Sequence, residues 1–359
     1  MRRSASAAPA QDIARPGFAV TVDGTPLPLA VALRVSRVCV DEDAGLPGMF
    51  TLELAGGDDT NETAWIDGTT FPLGAAVEVK MGYGGLLQTL IAAEITGLEP
   101  VFTRGGRPSL TLRGHDRCHR LLRGRKTRSF VQQKDSDIAA AIASEVGLTA
   151  RAEDSQVVHD YVLQANQSNM EFLRERARSI EYELVVEGRT LHFRHVQNDR
   201  GEILTLTPED DLLEFFPRLS TLGQAGEVEL RGWSPKDKKE IVAKAKSGDE
   251  GSTMGGRDSG AALAESAFGA AAVLLSDRPV FTQAEADQLA LARFNHAVLE
   301  LVSGEGVCTG RTDLRPGQVI KIDGIGTRFS GQYYLSATSH RYSPNQAYRT
   351  HFVARRNAA

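Results

Sequence analysis

A mainly β fold carrying an α+β insert is the class that the sequence predicts, on three observations. Short runs of alternating apolar residues, separated by Gly, Pro and Asp, recur through residues 18–115. Helical spacing is confined to a middle stretch and one later segment. The strand order of the first β region recurs, in weaker form, in the last fifty residues.

Taken in order, residues 1–17 read as a flexible tail. Strands are expected at Phe18–Val22, Val31–Val40, Met49–Leu54, Ala76–Met81, Leu90–Phe102 and Ser109–Leu112, and this spacing suits a sandwich or barrel over 18–115. The pattern then changes. Ser136 is placed to cap a helix bearing Ile138, Ile142 and Val146 and ended by Gly147. Ser168-Asn-Met-Glu171 spells a capping box, in which each side chain accepts from the other residue's free N–H, and Met170, Leu173, Ala177 and Ile180 follow on one face. Two strands, Tyr182–Val186 and Thr190–Arg194, turn at Glu187-Gly188, so 116–215 reads as an α+β insert.

Strand signals return at Val228–Trp233 and Glu240–Lys244, which assigns 216–245, with 304–357, to a second β-barrel domain. Between them, Gly248 to Gly260 holds five glycines and almost nothing apolar, and 246–276 reads as a flexible Gly/Ser-rich loop. A strand and a helix are expected over 277–303. Thr282-Gln-Ala-Glu285 is a second capping-box spelling, with Ala286, Leu289, Ala290, Ala297, Val298 and Leu301 as the apolar stripe.

The internal repeat pairs Pro72-Leu-Gly74, Val77-Glu-Val79, Gly82-Tyr-Gly84, Leu90–Phe102 and Ser109–Arg113 with Pro316-Gly317, Ile320-Lys-Ile322, Gly324-Ile-Gly326, Tyr333–Tyr342 and Tyr348–Arg355. Three chains with two such barrels each would present six similar units, a pseudo-six-fold ring on a three-fold axis.

The 359 residues suffice for two or three domains. A net charge of −5 gives the molecule no general attraction to nucleic acid or anionic membrane. Cys39, Cys118 and Cys308 lie far apart, which speaks against a disulfide framework and for a reducing compartment. Met1-Arg2-Arg3 lacks the apolar core of a signal peptide, and no stretch reaches the ~18 apolar residues of a membrane span. The expectation is a cytoplasmic protein with no stable membrane association.

Chemistry-bearing residues are sparse. His115, Cys118 and His119 are weak metal-ligand candidates, because no second Cys/His pair completes a site; His192 and His195 fall on opposite faces of a strand. Gly324-Ile-Gly326 lacks the third glycine of a dinucleotide loop, and Gly255–Gly260 lacks a phosphate-binding lysine. No nucleophile elbow is present. No catalytic residue, cofactor or small-molecule substrate is assigned. From Arg104 to Arg128 nine basic residues meet one acid, Asp116, making Arg113, Arg117, Arg120, Arg123, Arg125, Lys126 and Arg128 candidates for contact with a partner or an anion. Nucleic-acid binding through 104–128 is one alternative, although stacking aromatics are missing. A tail-associated cell-wall hydrolase is another.

Several stretches together resemble the phage late control protein D family, which includes VgrG-like baseplate hubs of contractile injection systems. They are Arg113–Phe130, leading into Asp-Ser-Asp-Ile; Gln164–Ala177; Glu183–Arg194; and Leu314-Arg-Pro-Gly-Gln-Val-Ile with Gly326–Leu335. The resemblance spans Phe18 to Arg355 in the family's order. It implies two tube-like barrels per chain and a non-enzymatic homotrimer that joins a six-fold inner tube to a three-fold spike, with the insert toward baseplate wedge proteins. Spike-fused relatives continue into further domains. Ending at Ala359, this chain is expected to meet a separately encoded spike, in the baseplate of a phage tail or injection particle assembled in the bacterial cytoplasm.

Overall fold

The computed structural model describes residues 15–56, 65–67, 70–276 and 278–359. Most of the expected tail falls outside them; the first strand, β1, begins at Pro16 and runs to Val22. The two-residue β2 (Thr25–Pro26) and one helical turn, α1 (Leu29–Ala32), precede β3 (Val35–Asp43). The expected strand start at Val31 is therefore corrected. Pro28, preceding α1, offers its carbonyl to Val31 and Ala32 in a local turn instead. Then come β4 (Met49–Leu54), β5 (Ala76–Tyr83), β6 (Leu86–Val101) and β7 (Ser109–Asp116). Alternate side chains, among them Val38, Val40, Phe50, Leu52, Val79, Ile95 and Leu112, fill one core.

A 3₁₀ turn at Arg117–Leu122 leads into the insert: β8 (Lys126–Lys134), α2 (Asp135–Glu145), β9 (Thr149–Ala152), β10 (Val158–Gln167), α3 (Asn169–Ser179), β11 (Tyr182–Glu187) and β12 (Thr190–His195). The Ser168 capping box forms, with Glu171 N–H on Ser168 Oγ at 3.1 Å and Ser168 N–H on the Glu171 carboxylate at 2.8 Å. The cap expected at Ser136 does not form. The helix starts two residues earlier, at Asp135 with Lys134 in the N-cap position, and the buried Ser136 hydroxyl accepts from Ser155 N–H.

The second β unit comprises β13 (Thr205–Leu206), β14 (Leu212–Leu219), and four later strands. Before those four, the chain leaves the unit for β15 (Glu227–Ser234), β16 (Lys239–Lys246), α4 (Gly260–Phe268), β17 (Ala272–Leu275) and α5 (Gln283–Val298). It returns as β18 (Val302–Thr309), β19 (Val319–Ile322), β20 (Gly331–Ser343) and β21 (Ala347–Arg356).

Four domain expectations change here. The insert does not reach 215, because β13 and β14 already belong to the second β unit, and the strand expected with the helix over 277–303 lies earlier, at Ala272–Leu275. Residues 216–245 do not all belong to the second barrel: β15, β16 and β17 form a separate three-stranded sheet. Val228, Leu230, Ile241, Ala243 and Ala245 pack on Ala286, Leu289, Ala290, Phe294 and Val298, and the small residues of α5 let helix and sheet approach. Nor is 246–276 one loop. Ser259 caps α4, and Asp258 exchanges backbone hydrogen bonds with Ala359, at 3.3 Å as donor and 3.1 Å as acceptor. A Cβ on Gly256 would stand 2.6 Å from that of Ala358, so this glycine serves close packing against the C-terminal segment.

One sheet of 13 strands joins both β units, in the order β14-β18-β21-β20-β3-β4-β7-β6-β5-β1-β2, with β19 and β13 branching from β20. Its two halves repeat. In the first, β3 pairs β4, β4 pairs β7, β7 pairs β6 and β6 pairs β5. In the second, β14 pairs β18, β18 pairs β21, β21 pairs β20 and β20 pairs β19, again all antiparallel. The irregularities repeat too: the bulge between Ile95 and Gly97 matches that between Leu335 and Ala337, and the one between Val35 and Arg37 matches that between Leu212 and Glu214. Gly74 N–H donates to Ile95 O at 2.8 Å, and Gly317 N–H to Leu335 O at 2.9 Å. The insert and the α5 unit are thus excursions from a duplicated five-strand core. Among the described residues no helix is long and apolar enough to cross a membrane.

Candidate assembly surfaces

The two halves meet edge to edge where β20 pairs β3, from Ala337↔Asp43 to Tyr342↔Val38. Side chains fasten this seam. Ser339 Oγ donates to Asp41 Oδ1 at 2.5 Å, Arg315 Nη2 donates to Glu42 Oε1 and to Leu90 O at 2.6 Å each, and Phe18 packs on Tyr342 with ring centroids 5.1 Å apart. His340 lies wholly buried in the seam.

A cleft of about 500 Å³ opens beside the seam, lined by Glu42, Asp116 and Arg315 and by Val185–Gly188 of the β11–β12 turn. Burial pushes the Glu42 carboxyl up to about 7 against the pull of Arg315. Asp116 rises to about 6, again by burial, although Gly48 and Cys118 N–H both donate to it at 2.8 Å. Both groups favour the fold in their neutral form. Their contribution is whole below their unfolded values near 4 and is lost as pH rises through about 7 and about 6. Side-chain carboxyl titration by NMR is expected to place the two midpoints there. Midpoints of both near 4 would mean that water reaches them freely.

The structure brings two of the weak metal candidates near each other, the His115 and His119 rings lying 6.3 Å apart between centroids, but not the third. His115 Nδ1 lies 2.8 Å from Thr96 Oγ1 and His119 Nδ1 2.7 Å from Asp116 O, while Cys118 points into the insert core beside Leu121 and Ile138. Burial raises the Cys118 thiol well above its ordinary value, so the thiolate a metal requires is disfavoured. His192 is buried and His195, on the other face at the end of β12, is exposed.

The basic run is mostly neutralised within the chain. Arg113 donates to Glu99 at 2.6 Å; Arg117 and Arg120 lie on Glu94 at 3.3 and 2.6 Å; Arg125 reaches Glu171 at 3.2 Å. Lys126 and Arg128 share Glu145, and Arg128 also stacks over Phe130 and donates to Gln164 at 2.8 Å. Of the seven candidates, only Arg123 has no side-chain ion pair or hydrogen bond among the described residues. Arg117 and Arg120 thereby tie the 3₁₀ turn to β6 of the first β unit, while Arg125, Lys126 and Arg128 are held within the insert. Sequence reasoning missed the seam residues Asp41, Glu42, Arg315, Ser339 and His340. The repeat was the signal that could have found their strands, since it aligns β20 with β6.

Residues 13–344 match the family model described as Alg8 N-terminal domain. The chain belongs to that family. No curated protein matches this Alg8 N-terminal domain sequence. Among solved structures it is similar to the 43 kDa tail protein of prophage MuSo2 from Shewanella oneidensis, at 12% identity and a TM-score of 0.70, covering 95% of this chain and 98% of that one. A tail protein from Neisseria meningitidis MC58 gives 14% identity and a TM-score of 0.67, over 95% and 96%. An E. coli component of the type VI secretion system, described as structurally similar to T4 bacteriophage tail proteins, gives 13% and 0.59, over 94% and 77%. At such identities the likeness establishes the fold, which is phage tail hub-like, as the sequence resemblance implied.

Proposed function

We propose that this Alg8 N-terminal domain protein is a structural, non-catalytic baseplate hub of a contractile tail or injection particle. It works as a homotrimer that presents six copies of one five-stranded unit to a six-fold inner tube and holds a three-fold spike on the opposite side. The insert faces the surrounding wedge proteins. One observation carries this reading: the duplicated unit, joined edge to edge within one chain, turns a three-fold assembly into a pseudo-six-fold surface. The tail and type VI components that share the fold support the same setting.

The nucleic-acid alternative loses its footing because the basic run is engaged by Glu94, Glu145 and Glu171. The raised carboxyls of Glu42 and Asp116 are held by Arg315 and by backbone N–H groups, an arrangement that fixes strands together. Light scattering on the full chain, alone and with candidate tube and spike proteins, is expected to give a trimer, and the same preparation is expected to release nothing from peptidoglycan. A strict monomer that ignores both partners would sink the hub.

A further inference from the structure

We infer that a second copy of this chain docks by antiparallel strand pairing between the free edge of β14 and the outer edge of β6 at Gly97–Phe102, in the register of the internal seam. This rests on the hub reading and specifies its subunit contact.

The molecule's own repeat places the seam a second time, between one copy and the next. With Ile95 matched to Leu335 and Gly97 to Ala337, residues 97–102 of β6 and just beyond correspond to 337–342 of β20, the segment that takes β3 at the seam. Matching the β3·β4 register to that of β14·β18 makes Val38–Asp41 correspond to Phe215–Arg218. Yet β14 ends the sheet, and β5 with the turn before it pairs β6 only as far as Ile95. Among the described residues, each edge therefore lacks the strand that its counterpart has. Such edges attract strands unless they are covered.

What the transferred register places opposite is chemically matched. Ser339↔Asp41 becomes Glu99, which Arg113 of its own chain holds at 2.6 Å, facing Arg218 of the second copy. Arg218 is exposed and has no side-chain ion pair or hydrogen bond among the described residues. Arg341↔Cys39 becomes Val101 facing Phe216, whose side chains are 53% and 67% exposed in the single chain. Phe102, 70% exposed, meets Phe215.

His340↔Val40 becomes Pro100 facing Pro217. Ala44 N–H donates to Ser336 O, which by alternation turns Val40 toward the seam; Ser220 N–H donates to Leu301 O, which likewise turns Pro217 toward the free edge. Neither proline has an N–H, so this pair exchanges no backbone hydrogen bond and both proline carbonyls go without a strand donor. The flanking pairs, Leu98 with Leu219 and Phe102 with Phe215, carry the hydrogen bonds.

The test is a disulfide at the pair whose backbones lie closest. Val101→Cys with Phe216→Cys in one full-length chain is expected, on oxidation, to give a covalent ladder ending at the trimer on a non-reducing gel. Each single variant should stay monomeric on that gel, since Cys39, Cys118 and Cys308 are buried. Glu99→Arg is expected to weaken self-association by at least about tenfold, and adding Arg218→Glu to restore it. A trimer by light scattering that neither cross-links nor shows the charge-swap rescue overturns this contact and leaves the hub standing. A chain that never self-associates, with or without tube and spike proteins, overturns both.

Discussion

Replacing Asp135 by alanine is expected to destabilise the insert by about 3–5 kcal/mol, the usual consequence of removing one member of a buried ion pair. Asp135 is 1% exposed at the start of α2. Arg176 on α3 grips it with two hydrogen bonds, at 2.5 and 2.9 Å, and His159 Nε2 on β10 lies 3.1 Å away. His159 Nδ1 in turn faces Glu285 of α5 at 3.6 Å, so the cluster also ties the insert to the α5 unit. Burial works to raise the Asp135 carboxyl, but the bonds from His159 and Arg176 prevail and hold it below its ordinary value. Its contribution is therefore present above the unfolded value and is lost as pH falls through the folded one. With Asp135 gone, the mostly buried Arg176 guanidinium keeps its desolvation cost and loses its counter-ion. Amide exchange of α2, α3 and β10 reads the loss locally, which matters in a chain with several cores. Adding Arg176→Met should recover much of it, because the stranded charge is removed. A single-variant loss below about 1 kcal/mol would show that water reaches the cluster.

The parts of this molecule that were legible in the sequence are those fixed by neighbours along the chain. Ser168 and Glu171 cap each other across three residues, so four letters sufficed. The β5–β6–β7 and β19–β20–β21 strands declared themselves by alternation, and their shared order exposed the duplication. Partner choice between distant segments was not legible. The apolar faces of β15 and β16 are the same whether they join a barrel or pack beneath α5, and only the fold decides. Charge counting failed on the basic run for a related reason: Glu145 and Glu171, which neutralise much of it, lie outside the counted window. The glycines of 246–276 signalled mobility, whereas one of them permits close packing on the C-terminal segment. Seam residues were hidden most completely, since Glu42 and Arg315 meet across 273 positions.

The seam itself should respond to acid through His340. Its Nε2 lies 3.0 Å from Leu314 O, which can only accept, so Nε2 carries the proton; Nδ1 then accepts from the Tyr348 hydroxyl at 2.9 Å. Both ring nitrogens are thus satisfied by the neutral imidazole, and a second proton would have to displace the Tyr348 hydroxyl hydrogen. Burial, with help from the nearby Arg315 charge, lowers the folded value to about 3. The unfolded chain binds that proton from about 6.5 downward, so folding is opposed progressively as pH falls from 6.5 to about 3. At about 1.36 kcal/mol per unit, the full difference is roughly 4–5 kcal/mol. Because His340 pairs with Val40 across the seam, the first amides to lose protection in acid are expected to be those of β3 and β20. Glu42 and Asp116 act with the opposite sign, since lowering the pH through about 7 and about 6 relieves their burial, so loss of protection should begin only below their range. His340→Gln keeps a donor for Leu314 O and cannot take up a proton. Its seam should be weaker at neutral pH but flatter in its pH dependence, by close to one proton. An unchanged slope would place the acid-labile group elsewhere and leave His340 as a packing residue alone.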